Sequence, residues 1–150
     1  MTKQSVTWGW VTGFSVMVVS VGCAGTEPMP AGKSLYDRLG GKFSISAVVD
    51  QFVANVAADT RINGRFAITD IRKLKGHFVD QGCMATGGPC TYSGCEMKTI
   101  HAGKKISNRD FEALVEDLVK ALDMFKGPAQ EKGEFLSFLG PMKRDIVEAP

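Results

Sequence analysis

Two histidines, His77 and His101, are the residues of this 150-residue chain best suited to chemistry, and there are no others. Each falls at a helix-like position beside an apolar face. Phe78 adjoins His77, and Met97 lies one turn before His101, on the same side of its helix. A neutral imidazole in an apolar, helix-lined pocket is what haem iron needs from a protein. Either histidine alone is more often an ordinary surface or core residue, so the pair suggests this chemistry without establishing it. Zinc is disfavoured, because no Cys-x-x-Cys or His-x-x-x-His spacing is present. Covalent c-type haem is disfavoured too, since Cys95 and His101 do not form a C-x-x-C-H motif.

The segments that must hold these histidines read as helices throughout. Ser34 followed by Asp37 is a variant of the capping box, and Gly40-Gly41 stops the short helix it opens. Ile45, Val48, Val49, Phe52, Val53 and Val56 recur at helical spacing on one face. Asn63-Gly64 breaks the chain. Thr69-Asp70 is suited to cap a third helix, with Ile71, Leu74 and Phe78 on one face, which Gly87-Gly88-Pro89 ends. Gly94 to Gly103 leaves room for one short helix around His101. Ser107 and Asp110 open the clearest periodicity in the chain, Phe111, Leu114, Val115, Leu118, Leu122 and Phe125. After Gly127-Pro128, a last helix is expected to bury Phe135, Phe138, Leu139, Met142 and Ile146, with a kink at Gly140-Pro141. No strand alternation competes, so the fold class is all-α.

Composition bounds the rest. A chain of this length, 44% apolar, suits one domain with a real core. The net charge of +2 is interspersed, with no basic stripe, so nucleic acid is not an expected partner. The N-terminus is different. Lys3 precedes an uncharged stretch, residues 4–26, with a short apolar run from Val11 to Val21 and small residues after it. This describes a secretory signal. Ser20-Val21-Gly22-Cys23 resembles a bacterial lipobox, in which the cysteine is acylated, although Ser20 stands where a leucine is usual. Ordinary cleavage and a retained membrane anchor are the alternatives, the latter because roughly 20 apolar residues span a bilayer. All three put the domain outside the cytoplasm. The expected organisation is a signal at residues 1–22, a Pro/Gly-containing linker at 23–33 and a folded domain at 34–148.

One family fits these residues in order and spacing. The segment Leu35 to Gly41 resembles the opening of the group I truncated haemoglobins. Asp50-Gln51-Phe52, then Asp59 to Ile62 and Phe66, resemble their second helix and the turn after it. Leu74 to His77, Gly87-Gly88-Pro89, Tyr92 to Gly94 and Met97 to His101 follow, and Phe111, Asp117 to Val119 and Ala121-Leu122 continue the match. The resemblance runs from Leu35 to Val147. It implies a two-over-two helical sandwich around one non-covalent b-type haem. It gives His101 the proximal ligand role and Phe66 the role of the aromatic stacked on the haem. Leu74, Phe78 and Val53 then line the distal side, with Phe52, Met97, Leu114 and Leu118 as further apolar wall.

The departures from that family matter as much. Many members place a tyrosine and a glutamine where this chain has Val53 and Phe78, which donate no hydrogen bond to a bound ligand. His77 is the polar candidate left on that side. It is expected either to coordinate the iron as a sixth ligand or to swing to solvent or a haem propionate, the first being favoured. Gly82 falls where some relatives carry a gating phenylalanine, and is expected to leave an internal route open. Among the cysteines, Cys83 with Cys90 and Cys90 with Cys95 are rival pairings. The expected function is reversible binding of oxygen, nitric oxide or carbon monoxide at the cell envelope, with an unidentified electron donor. The alternatives are nitric oxide dioxygenation or peroxide turnover, electron transfer or sensing by a bis-histidyl haem, and a helical lipoprotein without cofactor.

Overall fold

Ser34 begins the first helix in the computed structural model, which describes residues 32–149. The expected signal at 1–22 and linker residues 23–31, Cys23 included, lie outside the described residues. The Ser34 hydroxyl accepts from the Asp37 backbone N–H at 3.1 Å, and α1 runs Leu35–Arg38. Gly40, at φ +90°, takes the left-handed turn that lets α2, Gly41–Ala58, leave at once. The buried face of α2 is Ile45, Val49, Phe52, Val53 and Val56. Burying each such side chain is worth about 1.5–3 kcal/mol, so α2 is the spine of the core. It packs on α3 and on α5.

A 3-10 turn, Asn63–Phe66, follows the Asn63-Gly64 break. Asp70 caps α3, Ile71–Ala85, by accepting from the Lys73 backbone N–H at 3.1 Å. At the other end the Thr86 hydroxyl donates to the Gly82 carbonyl at 2.7 Å. The Cys83–Cys90 disulfide then closes the glycine turn, and Cys95 is free and exposed. Gly88 admits no side chain there, because a Cβ would stand 2.6 Å from Cys83 Sγ.

α4 is short, Met97–His101. α5, Asn108–Met124, opens with the full capping box of Ser107 and Asp110. The last helix is two helices, α6 (Ala129–Ser137) and α7 (Leu139–Ile146). The break falls at Phe138, and not at Gly140-Pro141 as expected. Pro141 sits in the first turn of α7, where its missing N–H costs no helix bond. Of the residues expected to be buried there only Ile146 is, the others being half-buried. Among the described residues the only extended pairing is a single parallel bridge, Ser107 with Ala149. The domain is all-α: α2 and α3 lie over α5 and the α6–α7 pair, the two-over-two sandwich.

Gly82 is buried between Ile45 and Phe135, whose nearest side-chain atoms stand 3.4 Å from where its Cβ would be. Those two side chains flank the position where the internal route is expected.

Candidate functional site

α2, the 3-10 turn, α3 and α5 enclose a cavity of about 400 Å³. Six residues singled out in the sequence line it: Phe52 and Val53 from α2, Phe66 from the turn, Leu74 and Phe78 from α3, and Leu114 from α5. Phe52 of α2 and Phe78 of α3 meet across the two helices, with ring centroids 5.4 Å apart. Sequence reasoning missed Val56, Ala57 and Ile71 in the wall. The signal for them was present, since each lies three or four residues from a lining residue on the same helix face. Asn63 is the one polar side chain of the wall, and its amide N–H donates to the Ala57 carbonyl at 3.3 Å.

The four remaining candidates lie elsewhere. Leu118, one turn beyond Leu114, faces a second cavity of about 200 Å³ with Ile45, Val48, Val49 and Leu122. Met97, His77 and His101 are half-buried and outside the wall of the first cavity.

His101 ends α4 with one ring nitrogen engaged. Its Nδ1 lies 2.8 Å from the Met97 carbonyl oxygen. A carbonyl only accepts, so Nδ1 carries a proton, and Nε2 is the ring nitrogen left for a metal. Met97 thus contributes its backbone, one helical turn before the histidine. The loop after His101 is gripped from two sides. The Glu148 carboxylate accepts from the backbone N–H groups of Gly103 and Lys105, both at 2.7 Å. Those two donors hold the Glu148 carboxyl below its usual range. From the other side the Arg65 guanidinium donates to the Lys104 carbonyl and to the Asp110 carboxylate, each at 2.8 Å. Asp110 is itself held low, first by the Ser107 backbone N–H.

His77 turns its ring edge-on to Tyr92, with centroids 5.9 Å apart. Tyr92 donates through its hydroxyl to the Cys95 carbonyl at 3.2 Å. Burial pushes its phenol pKa up, so it remains a donor across the physiological range.

These residues fit a haem. The wall is apolar and aromatic, as a porphyrin ring requires, and the Met97 carbonyl engages His101 Nδ1, which orients the ring and leaves Nε2 for a metal. α4 packs mainly on α7.

The comparisons with known proteins agree. Residues 34–148 match the model of the family described as bacterial-like globin. A group 1 truncated hemoglobin of Mycolicibacterium paratuberculosis is 34% identical over 114 residues, which cover 76% of this chain and 84% of that protein. The crystal structure of the truncated hemoglobin of Tetrahymena pyriformis in its Fe(III) form superposes with a TM-score of 0.73 at 28% identity, covering 77% of this chain and 98% of that one. The 2/2 hemoglobin of Synechococcus, solved in the cyanomet state with covalently attached heme, gives 0.72 at 29% identity over the same shares. Sequence, fold and the apolar cavity lead to one assignment: this chain belongs to the bacterial-like globin family, among the group 1 truncated haemoglobins, and is a haem-binding globin.

Proposed function

We propose that this globin holds one b-type haem without a covalent bond and uses it to bind oxygen, nitric oxide or carbon monoxide reversibly. The observation that carries this reading is the Met97 carbonyl 2.8 Å from His101 Nδ1, which leaves Nε2 as the ring nitrogen available to iron. When bound, the haem supplies an iron site for a diatomic gas. The protein's own residues do the rest. His101 holds the iron, Phe66 lies against the ring, and Phe52, Leu74 and Phe78 exclude water from the ligand side. Val53 and Phe78 offer a bound gas no hydrogen bond, which weighs against a dioxygenase that depends on long retention of oxygen. An electron donor is needed to keep the iron ferrous.

Absorption spectroscopy of the purified protein tests this. A Soret band that survives acidic organic extraction only as free haem is expected, whereas one that stays with the polypeptide means covalent attachment. No Soret band at all sinks the haem reading. The His77 contact with Tyr92 supports a resting site that is at least partly open on the ligand side. A bis-histidyl resting state through His77 is the second reading, favoured by the place of His77 one turn from Leu74. His77→Ala is expected to keep the haem and to remove any six-coordinate component from the resting spectrum.

We further read the protein as an exported, periplasmic lipoprotein tied to the membrane through Cys23. The signal-like segment at 1–22 supports this, and so does the Cys83–Cys90 disulfide, since such bonds persist in oxidising compartments. Mass spectrometry of the mature N-terminus should find an acylated Cys23, and an intact Met1 on cytoplasmic protein would refute it.

A further inference from the structure

The haem reading assigns His101 and leaves the second imidazole, His77, open. On α3 both Leu74 and Phe78 face the cavity. At about 100° per residue, His77 lies roughly 60° from Leu74 around the helix axis, on the rim of that stripe. A change of side-chain rotamer, with no movement of the helix, turns it inward or outward. In the structure it is turned outward onto Tyr92, with the two rings inclined at 69° in an edge-to-face pair.

Tyr92 is itself fixed on several sides. Its hydroxyl is bonded to the Cys95 carbonyl. Gly94 lies so close to the ring that a Cβ there would come within 2.7 Å of Tyr92 Cε2. The Cys83–Cys90 disulfide ties the same loop to α3 just upstream. Tyr92 is therefore the fixed partner of the pair and His77 the moving one.

We propose that Tyr92 is a positioning residue for the ligand side of the site: its ring holds His77 away from the cavity and so sets the share of protein in which a second imidazole reaches the iron. This rests on the haem reading above. An edge-to-face pair favours the outward state by about two- to tenfold. That is enough to decide between resting forms of similar energy. The loop between α3 and α4 thereby controls access to the iron without placing any side chain in the cavity.

The test compares resting spectra of the haem-loaded protein and of four variants. Tyr92→Leu removes the ring, and Gly94→Ala displaces it while leaving Tyr92 in the sequence. Both are expected to raise the ratio of six- to five-coordinate haem by about two- to tenfold. Tyr92→Phe keeps the ring and is expected to stay near the unmodified ratio. Adding His77→Ala to Tyr92→Leu should abolish the rise, which a general loosening of the fold would not do. An unchanged ratio in either Tyr92→Leu or Gly94→Ala overturns the proposal, and so does an unmodified protein that is entirely six-coordinate. Failure of the haem reading is distinguishable, because the unmodified protein then shows no Soret band.

Discussion

Purified His101→Ala protein is expected to carry almost no Soret band, while the unmodified chain carries a full one. The expectation follows from what the rest of the site offers. The cavity wall is apolar apart from Asn63, so burial alone would hold the ring and nothing there would hold the iron. His101 is the one histidine whose Nδ1 is engaged by a carbonyl, through the 2.8 Å contact to Met97. Removing it takes away the metal ligand and the side-chain contact to the Met97 carbonyl. Added imidazole should restore much of the band by entering the space the side chain vacates, which separates loss of the ligand from loss of the fold. A full band in His101→Ala without imidazole would mean that another residue is the proximal ligand, and His77 would be the first to examine.

Oxygen release is the second large expected effect. A hydrogen bond to a partly charged bound ligand is worth roughly 1.5–3 kcal/mol, and 1.4 kcal/mol is about tenfold in a rate or equilibrium. Val53 is 8% exposed and lines the cavity, and Phe78 stands across from it on α3. Neither donates. Oxygen should therefore leave about one to two decades faster than from a relative with a donor at these places. Val53→Tyr should recover part of that difference. Stopped-flow release measures both, and must be run in the His77→Ala background as well, because an imidazole competing for iron masks the intrinsic rate. Slow release in both backgrounds would refute the dry-pocket reading and point to Asn63, whose amide is the polar group nearest the cavity.

Local chemistry made much of this fold legible. Ser34, Asp70 and Ser107 were readable as caps because an N-cap needs only its own side chain and the next turn. The break at Phe138 was not readable, because proline is tolerated in a first turn and so marks no unique kink. Phe125 and Ile71 sit on apolar stripes, yet they are 49% and 40% exposed. Periodicity tells which face of a helix is apolar, and not whether a neighbour covers it. Leu118 shows the same limit inside the protein: its stripe passes from one cavity to a second within a single turn. The pairing of Cys83 with Cys90 and the contact of His101 Nδ1 with the Met97 carbonyl depend on distances, which no spacing contains.

Arg65 has a consequence for how energies in this protein add up. It directly precedes Phe66, which belongs to the cavity wall, and the same guanidinium grips the loop that leaves His101. On the proposed haem reading, the two sides of the iron share a fastening. They are then not separate variables: a change that shifts the turn at Phe66 is transmitted through Arg65 to the backbone after His101. Groups joined through one network do not give additive free energies. The cost of altering the ligand pocket, measured alone, therefore already contains a proximal contribution, and only a thermodynamic cycle with Arg65 as one corner separates the two.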